Sequence, residues 1–120
     1  MALSITINNL DQATDSFYVR GSLSASGSYT SGGDTLDFSG KGDLPVSTPP
    51  RDVFIHGTSG FVYEFVRGTS LANNKMILRG QQPTSATSGV IALSEMASGA
   101  YPSGVTGDTI TFLAIFDKLL

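Results

Sequence analysis

The chain reads as an all-β protein, a jelly-roll-like antiparallel β-sandwich of about eight strands. Three observations predict this. Apolar and polar residues alternate with period two in run after run, while helical apolar spacing is almost absent. Gly, Pro, Asn and Asp cluster between the runs as turn punctuation. The run from Ile110 to Phe116 is apolar on both faces, with Ile110, Phe112, Ala114 and Phe116 on one side of the sheet and Leu113 and Ile115 on the other. A strand of that kind is expected inside a sandwich. At 120 residues, the chain is expected to form a single domain over residues 1–120 that buries roughly two thirds of its unfolded surface.

The elements follow in order. Leu3, Ile5 and Ile7 share a face opposite Ser4, Thr6 and Asn8, which predicts a first strand with no basic leader before it. Phe17, Val19, Leu23 and Ala25 alternate with polar residues in a long second strand. Gly21 and Gly27 fall on its apolar face, where they leave space for a large neighbour or mark a bulge. A short strand over Asp34 to Phe38 precedes the longest loop, Ser39 to Arg51, whose three prolines forbid a helix or a central strand. Asp52 to His56 and Gly60 to Arg67 read as strands. The latter forms a hairpin with Lys75 to Arg79, and Asn73-Asn74 at the end of the connection suits positive φ angles. Gly80 to Ser88 reads as a polar loop, Val90 to Met96 as a strand, and Ala97 to Thr106 as the return to the terminal strand. Short helical turns fit at Leu44 to Thr48 or Ser94 to Ser98.

Composition narrows the function classes. The net charge is -3, only 14% of residues are charged, and the seven Lys and Arg are scattered, so no basic patch for a phosphate backbone is legible and no nucleic-acid partner is expected. No apolar run approaches the ~20 residues of a membrane helix, so no membrane partner is expected either. Without Cys there is no disulfide framework, zinc thiolate site or thiol nucleophile.

The remaining polar residues offer few candidates for chemistry. His56 is the single histidine; it sits beside Phe54 on one strand face and lacks a Gly-x-Ser-x-Gly elbow to serve. Glu64 and Glu95 lie inside predicted strands, where they point to solvent or meet an Arg across the sheet. Asp34, Asp37 and Asp43 do not have the alternating ligand spacing of a calcium loop. Gly40-Lys41-Gly42 is followed by Leu44 and Pro45 rather than a helix, and reads as a turn. Phe61, Tyr63 and Phe65 alternate as a core face would, with Tyr63 the member expected nearest the rim. The phrases Gly33-Asp34-Thr35 and Gly107-Asp108-Thr109 read as matched corners: Gly for an unusual φ, Asp to accept backbone amides, Thr to start a strand. No catalytic residue, metal ligand or cofactor is expected, and the protein is read as not an enzyme.

Taken together, Val19 to Leu23, Gly27-Ser-Tyr-Thr-Ser-Gly-Gly-Asp-Thr-Leu-Asp-Phe38, Gly60-Phe-Val-Tyr-Glu-Phe65, Asn73-Asn-Lys-Met-Ile-Leu78 and the terminal Gly-Asp-Thr-Ile phrase resemble small structural proteins of tailed bacteriophages. The likeness spans most of the chain from Val19 onward and departs from the usual pattern around Ser39 to Arg51 and Gly80 to Ser88. It implies a capsid decoration or cement protein, a jelly roll that binds and stabilises an icosahedral shell. The implied partners are the major capsid protein of the same virus and further copies of the chain, as a dimer or trimer. The implied place is the capsid surface of the virion, after synthesis in the bacterial cytoplasm. Two other readings stand beside it: a phage tail, neck or receptor-binding component, and a carbohydrate-binding jelly roll, although the chain has no Trp to stack on sugar rings. The partner surface is expected on the first strand at Leu3, Ile5 and Ile7, and on two loops at Leu44, Val46 and Arg51 and at Gln81 and Gln82, because recognition on a rigid sandwich commonly sits in its loops. An unprotected first strand is expected to be covered in the oligomer or by the shell.

Overall fold

The computed structural model describes residues 2–41, 44–80 and 92–118. They form two antiparallel sheets packed as a β-sandwich. The elements are β1 (Leu3–Gln12), β2 (Ser16–Ala25), β3 (Ser28–Tyr29), β4 (Asp34–Leu36), β5 (Asp52–His56), β6 (Val62–Val66), β7 (Asn74–Gly80), β8 (Ser94–Glu95), β9 (Gly99–Ala100), α1 (Ser103–Thr106) and β10 (Ile110–Asp117). One sheet runs β1-β2-β10-β5 and the other β4-β7-β6, with β8 paired to β7 and a small β3-β9 ribbon at the side. The chain crosses between sheets at β2→β4, β4→β5, β5→β6 and β7→β10, the alternation of a jelly-roll-like winding.

Pairing in the four-stranded sheet aligns side chains in rows. Ile7, Gly21, Phe112 and Ile55 make one inward row, and Leu10, Val19, Ala114 and Val53 make another. The core between the sheets adds Leu36, Phe38, Tyr63, Met76 and Leu78. Phe38 is its centre, with ring centroids 5.9 Å from Phe112 and 5.5 Å from Phe116 in edge-on contact. Gly21 has the role expected of it. A Cβ there would meet the Thr6 carbonyl and lie 2.8 Å from the Phe112 ring, so the edge of the ring occupies the space where a side chain would otherwise stand.

Several expectations change. Leu3 and Ile5 are buried core residues and Ile7 packs against the core, because pairing with β2 turns the apolar face of β1 inward. They are not an exposed contact stripe. The free edge of β1 is managed from within the chain: a register shift between Ile7 and Asn9 interrupts it, and Lys41 Nζ donates to the Ile5 carbonyl at 3.0 Å. Residues 44–50 of the expected loop fold onto the body rather than standing away. Leu44 and Val46 are half-buried against the core, Pro49 and Pro50 are buried, and Arg67 donates to both proline carbonyls at 3.4 and 3.0 Å. Arg51 is exposed and ion-paired with Asp117. The helical turn forms at α1, directly after Pro102, rather than at either expected place.

The connection between β6 and β7 works differently from the expectation. Among the described residues no non-glycine has positive φ, so Asn73 and Asn74 do not supply left-handed backbone. They act through their amides. Asn73 Oδ1 accepts the Thr69 and Ser70 amides at 2.9 and 2.8 Å. Asn74, fully buried, accepts the Gly68 amide at 2.9 Å and donates to the Ser70 and Leu71 carbonyls at 3.2 Å each. The loop thus satisfies its backbone on two side chains.

Candidate functional site

Three of the carboxylates are occupied by tyrosines. Tyr101 donates to Asp34, Tyr63 donates to Asp108 at 2.7 Å, and Tyr29 donates to Glu95 at 2.7 Å. The two Gly-Asp-Thr phrases are therefore matched corners, but the match lies in the aspartates. Gly33 has φ 107°, whereas Gly107 has φ -94° and closes α1, so only the first glycine supplies unusual backbone. Asp108 also accepts the Thr58 amide and hydroxyl at 2.9 and 2.8 Å and the Ser59 hydroxyl at 2.9 Å, pinning the β5–β6 turn to the start of β10. Burial opposes its ionisation, but these donors outweigh it and hold the carboxyl well below the usual range. Donation from Tyr29 and then from the Gly32 amide lowers Glu95.

The tyrosines respond in the opposite sense. Burial first, and donation to the carboxylate second, push Tyr29 and Tyr63 up to about 12. Tyr101 is raised further by burial and by Asp34. Tyr63 is 6% exposed, so it is a core residue rather than a rim residue. Such hydroxyls locked onto carboxylates are clamps between elements far apart in sequence. Tyr29 also accepts the Leu78 amide at 3.1 Å, tying the β3–β9 ribbon to β7.

The remaining candidates are separate from one another. His56 is exposed on the outer face of the four-stranded sheet, opposite Thr111. Glu64 meets Arg79 across the β6–β7 pair at 3.4 Å, as expected of a solvated sheet face. Asp37 accepts the Ser39 amide at 2.8 Å, and Asp43 lies outside the described residues. Among the described residues no three His, Asp or Glu side chains are grouped to hold a metal ion, and no helix is long and apolar enough to cross a membrane.

What the fold leaves outward is a pair of faces. On the four-stranded sheet, the row Asn9, Arg20, Leu113 and Phe54 adjoins the row Asp11, Tyr18, Ile115 and Asp52. Phe54 is 56% exposed, and Leu113, Ile115 and Tyr18 are half-buried. A depression of about 400 Å³ lies in this face, its lining including Arg20, Gly21, Phe54, Phe112 and Leu113. β10 is thus apolar on both faces as expected, but only its inner face is covered by the second sheet. On the opposite side, the β4-β7-β6 sheet presents Val62, 43% exposed, and Val66, 39% exposed, around Glu64 and beside half-buried Ile77.

These faces are not the surface expected from the sequence. Leu3, Ile5 and Ile7 point inward, Leu44 and Val46 cover the core, Arg51 stays exposed, and Gln81 and Gln82 lie outside the described residues. Phe54, Arg20 and Tyr18 were missed. The available signal was Leu113 and Ile115, whose apolar side of β10 requires a cover. No protein-family model, no curated protein and no solved structure matches the chain.

Proposed function

We propose that the chain is a non-enzymatic structural protein of a tailed-phage virion, a decoration or cement protein that bridges and stabilises the icosahedral shell. One observation carries this reading: exposed apolar side chains stand on both outer faces of the sandwich, Phe54 on one and Val62 and Val66 on the other. A bridging module needs two separate adhesive surfaces held at a constant distance, and two hydrogen-bonded sheets on a shared core supply that rigidity. Asp34, Asp108 and Glu95, the carboxylates at the two matched corners and on β8, are engaged in structural tyrosine clamps, which favours adhesion. The likeness of the strand and turn phrases to phage structural proteins points the same way. Shell docking is assigned to the Val62–Val66 face.

The test mixes the purified protein with shells of the phage that carries this reading frame, assembled without it. Saturable binding at hundreds of copies per particle, with a higher rupture temperature, is the expected result. Val62→Asp with Val66→Asp should abolish both effects. Absence of binding would remove the shell reading. A stoichiometry of three, six or twelve would move the protein to the tail or neck.

A further inference from the structure

We propose that the Phe54 face is a homodimer interface, in which two copies of this chain pack their four-stranded sheets together about a two-fold axis running along β10. This rests on the reading of the protein as an adhesive module and names the partner of its second face. The argument is the self-complementarity of the registered rows. Across β2, β10 and β5 one row reads Arg20, Leu113, Phe54 and the next reads Tyr18, Ile115, Asp52. The cation and the hydroxyl donor stand on the β2 side; the aromatic ring and the carboxylate acceptor stand on the β5 side.

A two-fold axis along the central strand lays β2 of one copy over β5 of the other. Sheets packed face to face keep their strands nearly aligned, so each row meets itself reversed. Arg20 then faces the Phe54 ring of the second copy, a cation over the face of an aromatic ring. Tyr18 faces Asp52 of the second copy, with its hydroxyl able to donate to the carboxylate. Leu113 and Ile115 meet their own counterparts on the axis. The depression between Arg20, Gly21 and Leu113 receives the Phe54 ring of the second copy, and the contact is made twice.

An axis across the strands, by contrast, sets Arg20 against Tyr18 and Phe54 against Asp52, which places a carboxylate over a negative ring face. The pairing of charge and ring therefore selects the axis along β10. Arg20 is available for it: its side chain is 60% exposed and its partner Asp11 lies 3.6 Å away on the β1 side.

Sedimentation velocity over a concentration series, micromolar to submillimolar, tests the proposal. The wild-type chain is expected to sediment as a dimer, and Phe54→Ala to weaken association about thirtyfold per contact, hence about a thousandfold per symmetric dimer. Because the chain has no Cys, single cysteines report the geometry directly. A short bismaleimide should link Leu113→Cys into covalent dimers and leave Val62→Cys, on the opposite face, unlinked. Arg20→Glu, at an exposed position that leaves the core intact, should also give a monomer of unchanged circular dichroism. A wild-type monomer throughout the series, a Phe54→Ala dimer of unchanged affinity, or linkage through Val62→Cys instead of Leu113→Cys would each overturn the dimer. The outcome is separable from the virion reading: a dimer that ignores shells removes only that reading, and a monomer that binds them removes only this one.

Discussion

Asn74 provides the sharpest test of how the sandwich is held together. Its amide makes three hydrogen bonds, one accepted and two donated, from a position with no solvent exposure. Removing them in Asn74→Ala leaves one backbone amide and two carbonyls of the 67–73 connection without that partner. At ~1 kcal/mol net per bond, the loss is about 3 kcal/mol. For a domain of this length that lowers the melting temperature by about 12 °C. Asn74→Asp keeps the acceptor for Gly68 but turns a second oxygen towards the Ser70 and Leu71 carbonyls. That variant should lose about 2 kcal/mol beyond alanine at neutral pH, because a buried anion then faces two acceptors.

The aspartate variant also carries a pH signature. Crowding by carbonyls raises the folded-state value of the new carboxyl above its unfolded value, so its contribution is most favourable below about pH 4 and is lost as pH rises through the raised value. Urea denaturation with linear extrapolation, run on the wild type and both variants across pH, reads all of this. An Asn74→Ala loss under about 1 kcal/mol, or an aspartate variant no worse than alanine at neutral pH, would refute the assignment of the loop to this side chain.

Three further outcomes follow from the packing and the clamps. Gly21→Ala drives a methyl into the Thr6 carbonyl and the Phe112 ring and should cost about 3 kcal/mol in chemical denaturation with an unchanged m-value. At high pH the tyrosine clamps set the limit. Tyr29 and Tyr63 are raised from about 10 to about 12, so their contribution is complete below about pH 10 and is lost as pH rises through about 12. Tyr63→Phe should flatten that alkaline limb in thermal melts taken at stepped pH. At low pH Asp108 works in the other direction: its lowered value gives stability that is present above about pH 4 and lost as pH falls through the depressed value. Asp108→Asn should therefore be less stable at neutral pH and show a shallower acid limb, read by the same melts.

The strands were legible where alternation was long. β5 and the β6–β7 hairpin fall where Val53, Ile55, Tyr63, Phe65, Met76 and Leu78 alternate with polar neighbours, because a strand with one buried face writes its period into the chain. β1 continues to Gln12, beyond its alternating start, since a register shift reverses which positions point inward and Leu10 takes the place that period two would give to residue 9. The two-residue strands β3, β8 and β9 are too short to carry a period and depend on the Tyr29 and Tyr101 clamps. The outward faces were legible only by halves. Leu113 and Ile115 announced an apolar side, but which of Arg20, Tyr18 and Phe54 would stand beside them depends on the long-range pairs Leu113–Phe54, Leu113–Arg20 and Ile115–Tyr18, which no local pattern encodes.

The position of β10 has a consequence for how the protein comes into being. It follows every other described element in chain order, yet it lies between β2 and β5, bonded to both. Until residues 110–117 leave the ribosome, neither neighbour can complete its ladder on that side, and the Phe38 ring lacks both aromatic partners. Assembly is accordingly a late, concerted event with high contact order, slow to begin. The nascent chain passes through an interval with two naked strand edges, when protection from neighbouring polypeptides matters most.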